Sequence, residues 1–264
     1  MIKTLNIDIE SFSSVDIKKS GLYKYVQSPD FEVLLFAYSV NGGATEIIDL
    51  AQGEEIPVKI IKAMLDANVT KYAYNAAFEW YCLSKHLGVF HSNDWLNHWH
   101  DTMLHGLYCG FTAGLEATAK AVGLSRDKQK MTVGRSLIKL FCTPTKPTKK
   151  NGSRTRTLPH HEPYKWDLFK EYCIQDVEVE KAIQQKLARF PVPEQEQKLW
   201  ELDQRINAFG VNVDKELIDS AIYIDKLVTN ELKNEAVKLT GLNNPNSTAQ
   251  LKKWLAEQLS LINI

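Results

Sequence analysis

Apolar and polar residues alternate along TLNIDIES, from Thr4 to Ser11. A strand sends residues i, i+2 and i+4 to one face, so Leu5, Ile7 and Ile9 point into a core. Asn6, Asp8 and Glu10 then stand side by side on the opposite face. In a central strand each buried, unpaired acid would cost roughly several kcal/mol, and a divalent metal held by oxygen ligands would offset that cost. Taken alone, the stretch reads more simply as an edge strand with one face in water.

Phe31 to Tyr38 (FEVLLFAY) is apolar enough for a strand buried on both faces. Asn41-Gly42-Gly43 supplies a turn, and Thr45 to Leu50 returns as a third strand, completing an antiparallel meander. The pattern then changes. Pro57 opens a helix (PVKIIKAMLD), followed by a short strand, Lys71 to Tyr74, and a helix from Ala76 to Leu87. His98 to Thr102 is one more strand before a run of helices, of which Leu115 to Val122 is the clearest. A meander followed by this alternation predicts an α/β fold, a mixed sheet with helices on both faces. Thr143 to Pro163 is a long basic loop rich in Pro, Gly, Ser and Thr, a kind that is functional or disordered inside a domain. A strong helix follows from Tyr164 to Phe190, closed by Pro191 and Pro193. The expected boundary falls there, giving domains 1–192 and 193–264. The second is expected to be wholly helical, interrupted at Gly210 and between Gly241 and Pro245.

The 264 residues are 44% hydrophobic and 10% aromatic, which suits a folded chain rather than a disordered one. Lys+Arg and Asp+Glu balance at 32 each, so net charge points to no polyanion partner. The distribution is less even. Lys128 to His161 holds nine Lys/Arg residues and no acid, which fits a phosphate-facing surface or a solvated loop. Cys82, Cys109, Cys142 and Cys173 show neither CxxC pairing nor metal-ligand spacing with the seven histidines. No charged-then-apolar leader precedes Leu5, and no apolar run reaches the ~18 residues of a membrane span. The expectation is a cytoplasmic protein with free thiols and no membrane partner.

Two further stretches carry carboxylates that could join Asp8 and Glu10. In Tyr74-Asn-Ala-Ala-Phe-Glu79, Asn75 is suited to cap a helix and Glu79 lies one turn in. Such a strand–helix junction is where open α/β sheets place their sites, although a first-turn acid also simply complements the helix dipole. In Tyr172-Cys-Ile-Gln-Asp176, the first and last residues share a helical face beside an apolar stripe of Phe169, Cys173, Val177 and Ala182. Tyr172 also suits a core position. Glu178 and Glu180 read as solvated surface.

These three motifs, in this order, resemble the DEDD superfamily of 3′–5′ exonucleases, tyrosine subtype, on a ribonuclease-H-like fold, over residues 1–190. Asp101 to Leu104 and Gly114 to Leu124 resemble segments between the second and third exonuclease motifs of family A DNA polymerases. Leu202 to Asp214 resembles the helix entering that family's polymerase half, and Asn246 to Leu251 with Trp254-Leu255 the segment after it. The basic insertion and SPDFEVLLFAYS look most like phage and prophage members. Polymerase motifs would lie beyond Ile264, so polymerisation is not expected.

The resemblance implies that Asp8 bridges two divalent ions, Mg²⁺ or Mn²⁺, with Glu10 and Asp176 completing the water-activating site. Glu79 would support the second ion through its outer shell, and Tyr172 would orient the attacking water. The commoner residue at the position of Glu79 is Asp, one methylene shorter; Asp101 is a reserve candidate. Asn75, Phe78, Tyr23 and Lys24 are candidates for positioning a terminal nucleotide, though capping or packing suits each as well. Lys146, Lys149, Lys150, Arg154 and Arg156 could follow phosphates without reading bases. His160 and His161 belong to the loop. The implied partner is a single-stranded or frayed DNA 3′ end, with a polymerase half in the same or another chain, in a bacterial or phage-infected cell. Two alternatives stay open: a catalytically silent nucleic-acid-binding or scaffold domain, and an exonuclease acting on RNA 3′ ends.

Overall fold

The first two strands read from the sequence lie side by side in one sheet, neither of them at its edge. The computed structural model describes residues 1–89, 93–112, 114–124 and 133–259. Lys128 and Lys130 of the basic stretch lie outside the described residues. The strands are β1 (Thr4–Phe12), β2 (Glu32–Val40), β3 (Thr45–Asp49), β4 (Thr70–Ala73) and β5 (Trp99–Asp101), in the order β3-β2-β1-β4-β5. β1–β2 and β2–β3 are antiparallel, and β1–β4 and β4–β5 are parallel. This is the mixed sheet expected, with helices packed on both faces. The edge-strand reading of β1 is overturned: β1 is the central strand, with Leu5 fully buried and Glu10 only 7% exposed.

The β2–β3 hairpin turns at Asn41 (φ 51°) and Gly42 (φ 72°), both left-handed, as a tight turn between antiparallel strands needs. Asn41 Oδ1 also accepts from the backbone N–H groups of Lys3 and Thr4, tying the turn to the start of β1. Between Glu10 and Ser11 the register slips, so that Glu10 pairs with Leu35 and Ser11 with Val33. Leu34 is the extra residue of this bulge. Leu34 and Leu35 both join the core on the face that Asp8 and Glu10 share, and Val33 and Phe36 join the other.

Among the described residues the helices are α1 (Ile17–Val26), α2 (Val58–Leu65), α3 (Ala77–Leu87), α4 (Asn93–Leu96), α5 (Thr102–Tyr108), α6 (Leu115–Ala121), α7 (Gly134–Phe141), α8 (Pro163–Leu187), α9 (Glu194–Phe209), α10 (Lys215–Thr240) and α11 (Thr248–Gln258). Leu5, Ile7 and Ile9 pack in one core with Ile60 and Met64 of α2 and with Trp80, Cys82 and Leu83 of α3. On the other face, Phe12, Leu35 and Ala37 meet Phe141 of α7 and Trp166, Phe169, Cys173 and Val177 of α8. Each such large apolar side chain contributes about 1.5–3 kcal/mol by leaving water. α8 opens on Pro163, which suits the first helical turn, and its buried residues recur at three- and four-residue steps. α1 has no counterpart in the sequence reading. Its apolar residues show little helical periodicity, and Gly21 breaks it with φ 79°.

The chain divides into two compact units, Met1–Ala208 and Phe209–Ile264. α9 therefore continues the first unit past Pro191 and Pro193: Gln197 donates to the carbonyl of Trp99 at 2.8 Å, and Trp200 packs on the sheet core. In the second unit Asp214 caps α10 and Ser247 caps α11, with Gly241 in a left-handed conformation ending α10. The helical character and both interruptions are as expected. Among the described residues, no helix is long and apolar enough to cross a membrane.

Candidate active site

The even-numbered residues of β1 point toward α8. Asn6, Asp8, Glu10 and Phe12 form this row, in which Glu10 is buried and Asp8 half-buried. Just past the bulge, Phe12 returns the row to apolar packing, so the acids are bounded by core on that side.

β4 ends at Ala73, and the chain turns through Asn75 into α3. Asn75 does not cap the helix as predicted. It adopts φ 70°, a left-handed conformation that Asn tolerates, and α3 starts from Ala76 without a side-chain cap. The Asn75 N–H donates to Asp101 Oδ1 at 2.9 Å, and the same oxygen accepts from Met103 N–H at 2.8 Å to cap α5. Asp101 thus joins the β4–α3 turn to the β5–α5 turn. The turn brings Glu79, 3% exposed, up to the β1 acids. Burial raises its carboxyl well above the ordinary range, and the charges of Asp8, Asp101 and Glu10 raise it further. Its Oε2 is buried and finds no hydrogen-bond partner among the described residues.

From the third direction α8 brings Tyr172 and Asp176, 1% and 5% exposed. Burial first, then the charges of Asp176, Glu10 and Asp8 and a hydrogen bond to Asp176, push the phenol far above its usual range. It is therefore a donor, not a base, at any pH near neutral. Its ring stacks on Phe169 at 6.1 Å and lies against Gly134, where an added Cβ would stand 2.1 Å from Cε2. Only glycine fits there.

Two thiols complete the surroundings. Cys173 Sγ lies 3.3 Å from Asp8 Oδ2, and Cys142 Sγ lies 3.6 Å from Glu10 Oε2. Burial and the adjacent acids hold both thiols well above their usual range, so each donates an S–H to its carboxylate.

Asp8, Glu10, Glu79, Tyr172 and Asp176, predicted from three distant segments, thus meet at one place. The donors fit a hard divalent cation: oxygen ligands from rigid elements, mutually repelling, with Glu79 Oε2 buried and unsatisfied among the described residues. Among the described residues no three His, Cys, Asp or Glu side chains already stand at ligating spacing. The substrate candidates are less uniform. Asn75 is exposed beside the acids. Phe78 packs on the sheet core with Tyr25; Tyr23 and Lys24 are exposed on α1, and Lys146, Lys149 and Lys150 are exposed on the loop. Arg154 is half-buried. Arg156 is engaged with Glu32 at 2.5 Å and over the Phe12 ring at 4.0 Å, pinning the loop to the sheet.

The sequence reading missed four residues here. Gly134, Cys142 and Cys173 carried no local signal. Glu180, read as surface, is 2% exposed and accepts from Thr102 Oγ1 and from Asn6 Nδ2, the latter at 2.6 Å. Glu178 is more exposed, and it pairs with Lys181 at 2.8 Å.

No family model matches the chain. It is 50% identical over 257 residues to a DNA polymerase of Bacillus phage SP02. That similarity covers 97% of this chain and 39% of the polymerase, so the chain spans well under half of that relative. Solved structures with looser likeness include a Trypanosoma brucei RNase D–GMP complex, with TM-score 0.47 and 18% identity over 81% of this chain and 60% of that one. Brucella melitensis NrnC follows, with TM-score 0.43 and 12% identity over 81% and 90%. The POL domain of Pol1 from M. smegmatis gives TM-score 0.43 and 16% identity over 96% and 36%. At that distance the overlaps carry no argument about chemistry.

Proposed function

We propose that this chain is a metal-dependent 3′–5′ exonuclease of the DEDD type, tyrosine subtype, that removes nucleotides from DNA 3′ ends as the proofreading portion of a phage-type polymerase. The observation that carries this reading is the convergence of Asp8, Glu10, Glu79, Asp176 and Tyr172 on the central strand. Its support from relatives is the 50% identity to a phage DNA polymerase. Asp8, Glu10 and Asp176, with Glu79 behind them, would hold two Mg²⁺ or Mn²⁺ ions, which supply Lewis-acid stabilisation of the entering and leaving oxygens of a phosphodiester.

The protein's own groups divide the remaining work. Tyr172, locked as a donor by its buried position, holds Asp176 and presents its oxygen to an attacking water, orienting it rather than deprotonating it. Asn75, exposed at the turn, would meet the terminal nucleotide, and the exposed Lys146, Lys149 and Lys150 would meet phosphates behind it. The partner is a single-stranded or frayed 3′ end, with the polymerase half in the same or another chain.

The test uses 3′- and 5′-labelled single-stranded DNA with Mg²⁺, Mn²⁺ or EDTA, beside Asp8→Ala. The expected result is stepwise shortening from the 3′ end, abolished by EDTA and reduced ~100–1000-fold in the variant, the scale on which removing a group central to charge stabilisation acts. Metal-independent binding without cleavage would replace this reading with a silent nucleic-acid-binding domain. Shortening of RNA alone would move the substrate to RNA 3′ ends.

A further inference from the structure

The two acids of β1 each accept from a buried cysteine, and the two cysteines come from different elements. Cys173 lies on α8 between Tyr172 and Asp176, fully buried, and its Sγ faces both Asp8 Oδ2 at 3.3 Å and the Asp8 carbonyl at 3.8 Å. Cys142 follows α7, where the chain leaves for the basic loop, and reaches Glu10 Oε2 at 3.6 Å. Neither pairs in a disulfide. Neither is needed to fill the core as a thiol, since alanine or valine would pack in the same apolar surroundings.

What a thiol adds is a neutral donor. A carboxylate crowded by other carboxylates is steadied either by a cation or by donors. A lysine or arginine in that position would compete with a metal ion for the same oxygens. An S–H occupies one lone pair, turns the carboxylate, and leaves its charge in place. The donor to Asp8 also bonds the backbone of the same residue, so side chain and strand are held together.

We propose that Cys173 and Cys142 are positioning residues that hold Asp8 and Glu10 in the orientation that receives a divalent cation. This rests on the exonuclease reading above. Cys173 is the stronger of the two, by its shorter approach and its second acceptor.

The test measures Mn²⁺ binding by isothermal titration calorimetry on the full chain without nucleic acid, together with melting temperature in EDTA and kcat and KM on single-stranded DNA. Cys173→Val removes the donor and adds about one methyl group; Cys173→Ser keeps a donor; Cys173→Ala removes the donor without added bulk and serves if the valine does not fold. Losing a partner that orients a ligand typically weakens metal binding 10–100-fold. The expected outcome is Mn²⁺ affinity about tenfold weaker for Cys173→Val, kcat reduced with KM for DNA unchanged, an EDTA melting temperature near the parent's, and restoration by serine. Cys142→Val should show the same pattern at smaller size.

If the parent binds Mn²⁺ and degrades DNA while the valine and alanine variants match it, the positioning role is wrong and the exonuclease reading stands. The role is equally overturned if serine weakens Mn²⁺ as much as valine does. If the parent neither binds Mn²⁺ nor cuts DNA, both readings fall.

Discussion

Glu180→Gln should stabilise the protein above neutral pH and change little in acid. Burial, with the charge of Asp101 behind it, raises the Glu180 carboxyl, while donors from Thr102 and Asn6 and the charge of Lys181 pull the other way. The balance leaves it at about 7, against an ordinary 4.5. The unfolded chain therefore releases this proton near 4.5, and the folded chain keeps it to about 7. Between those values the folded state binds more protons, so stability falls as pH rises, and above about 7 the loss is complete. At ~1.4 kcal/mol per pH unit the full penalty is about 3 kcal/mol, of which roughly 2–3 kcal/mol develops between pH 5 and pH 8. Glutamine has no proton to lose. Its amide still accepts from one neighbour and can donate to the Thr102 hydroxyl, an exchange that changes stability by about 1 kcal/mol at any pH. Urea unfolding of both proteins in EDTA at pH 5, 6, 7 and 8 measures the gap. The variant should gain on the parent by roughly 2–3 kcal/mol across that range. A gap that stays constant, or one that closes as pH rises, would refute the assignment of a buried, reluctant carboxylate to this position.

Gly134→Ala places a methyl group inside the Tyr172 ring, so it should destabilise by about 1–3 kcal/mol and slow DNA degradation at least tenfold as the ring is displaced. Parent-like melting and parent-like rates would show that α7 moves aside at no cost. Replacing Lys149 and Lys150 together by Ala should flatten the dependence of log affinity for single-stranded DNA on log salt by ~0.7 for each phosphate left without its lysine. An unchanged slope, read by fluorescence anisotropy, would remove both lysines from the binding surface.

The elements that sequence made legible are those whose signals are local. The alternation from Leu5 to Glu10, the left-handed turn at Asn41-Gly42 and the proline at the head of α8 each act within a few residues, and each appears in the structure. The meeting of Asp8, Glu10, Glu79 and Asp176 was legible through spacing and resemblance together. What stayed hidden depends on partners far along the chain. Glu180 looks like surface because an acid between Glu178 and Lys181 reads as solvated charge even beside Val179 and Ile183; Thr102 and Asn6, 78 and 174 residues away, are what make burial tolerable. The thiols read only as free cysteines, because their acceptors lie on β1. Asn75 has the chemistry of a cap, but its backbone serves the turn instead, as its φ of 70° shows. The central place of β1 could not be read from β1 at all, since it depends on β4 arriving on its open side.

Asp8 and its neighbour Cys173 are separated by 165 residues, and Asn6 and Glu180 by 174. β1 is thus made well before α8, and carries part of a site that α8 completes. At ~5–20 residues per second the wait is on the order of 10–30 s. Throughout it the acids of β1 have no α8 to face. On the exonuclease reading proposed above, a chain wired in this way gains its activity only by completing its fold, and truncation before α8 removes it.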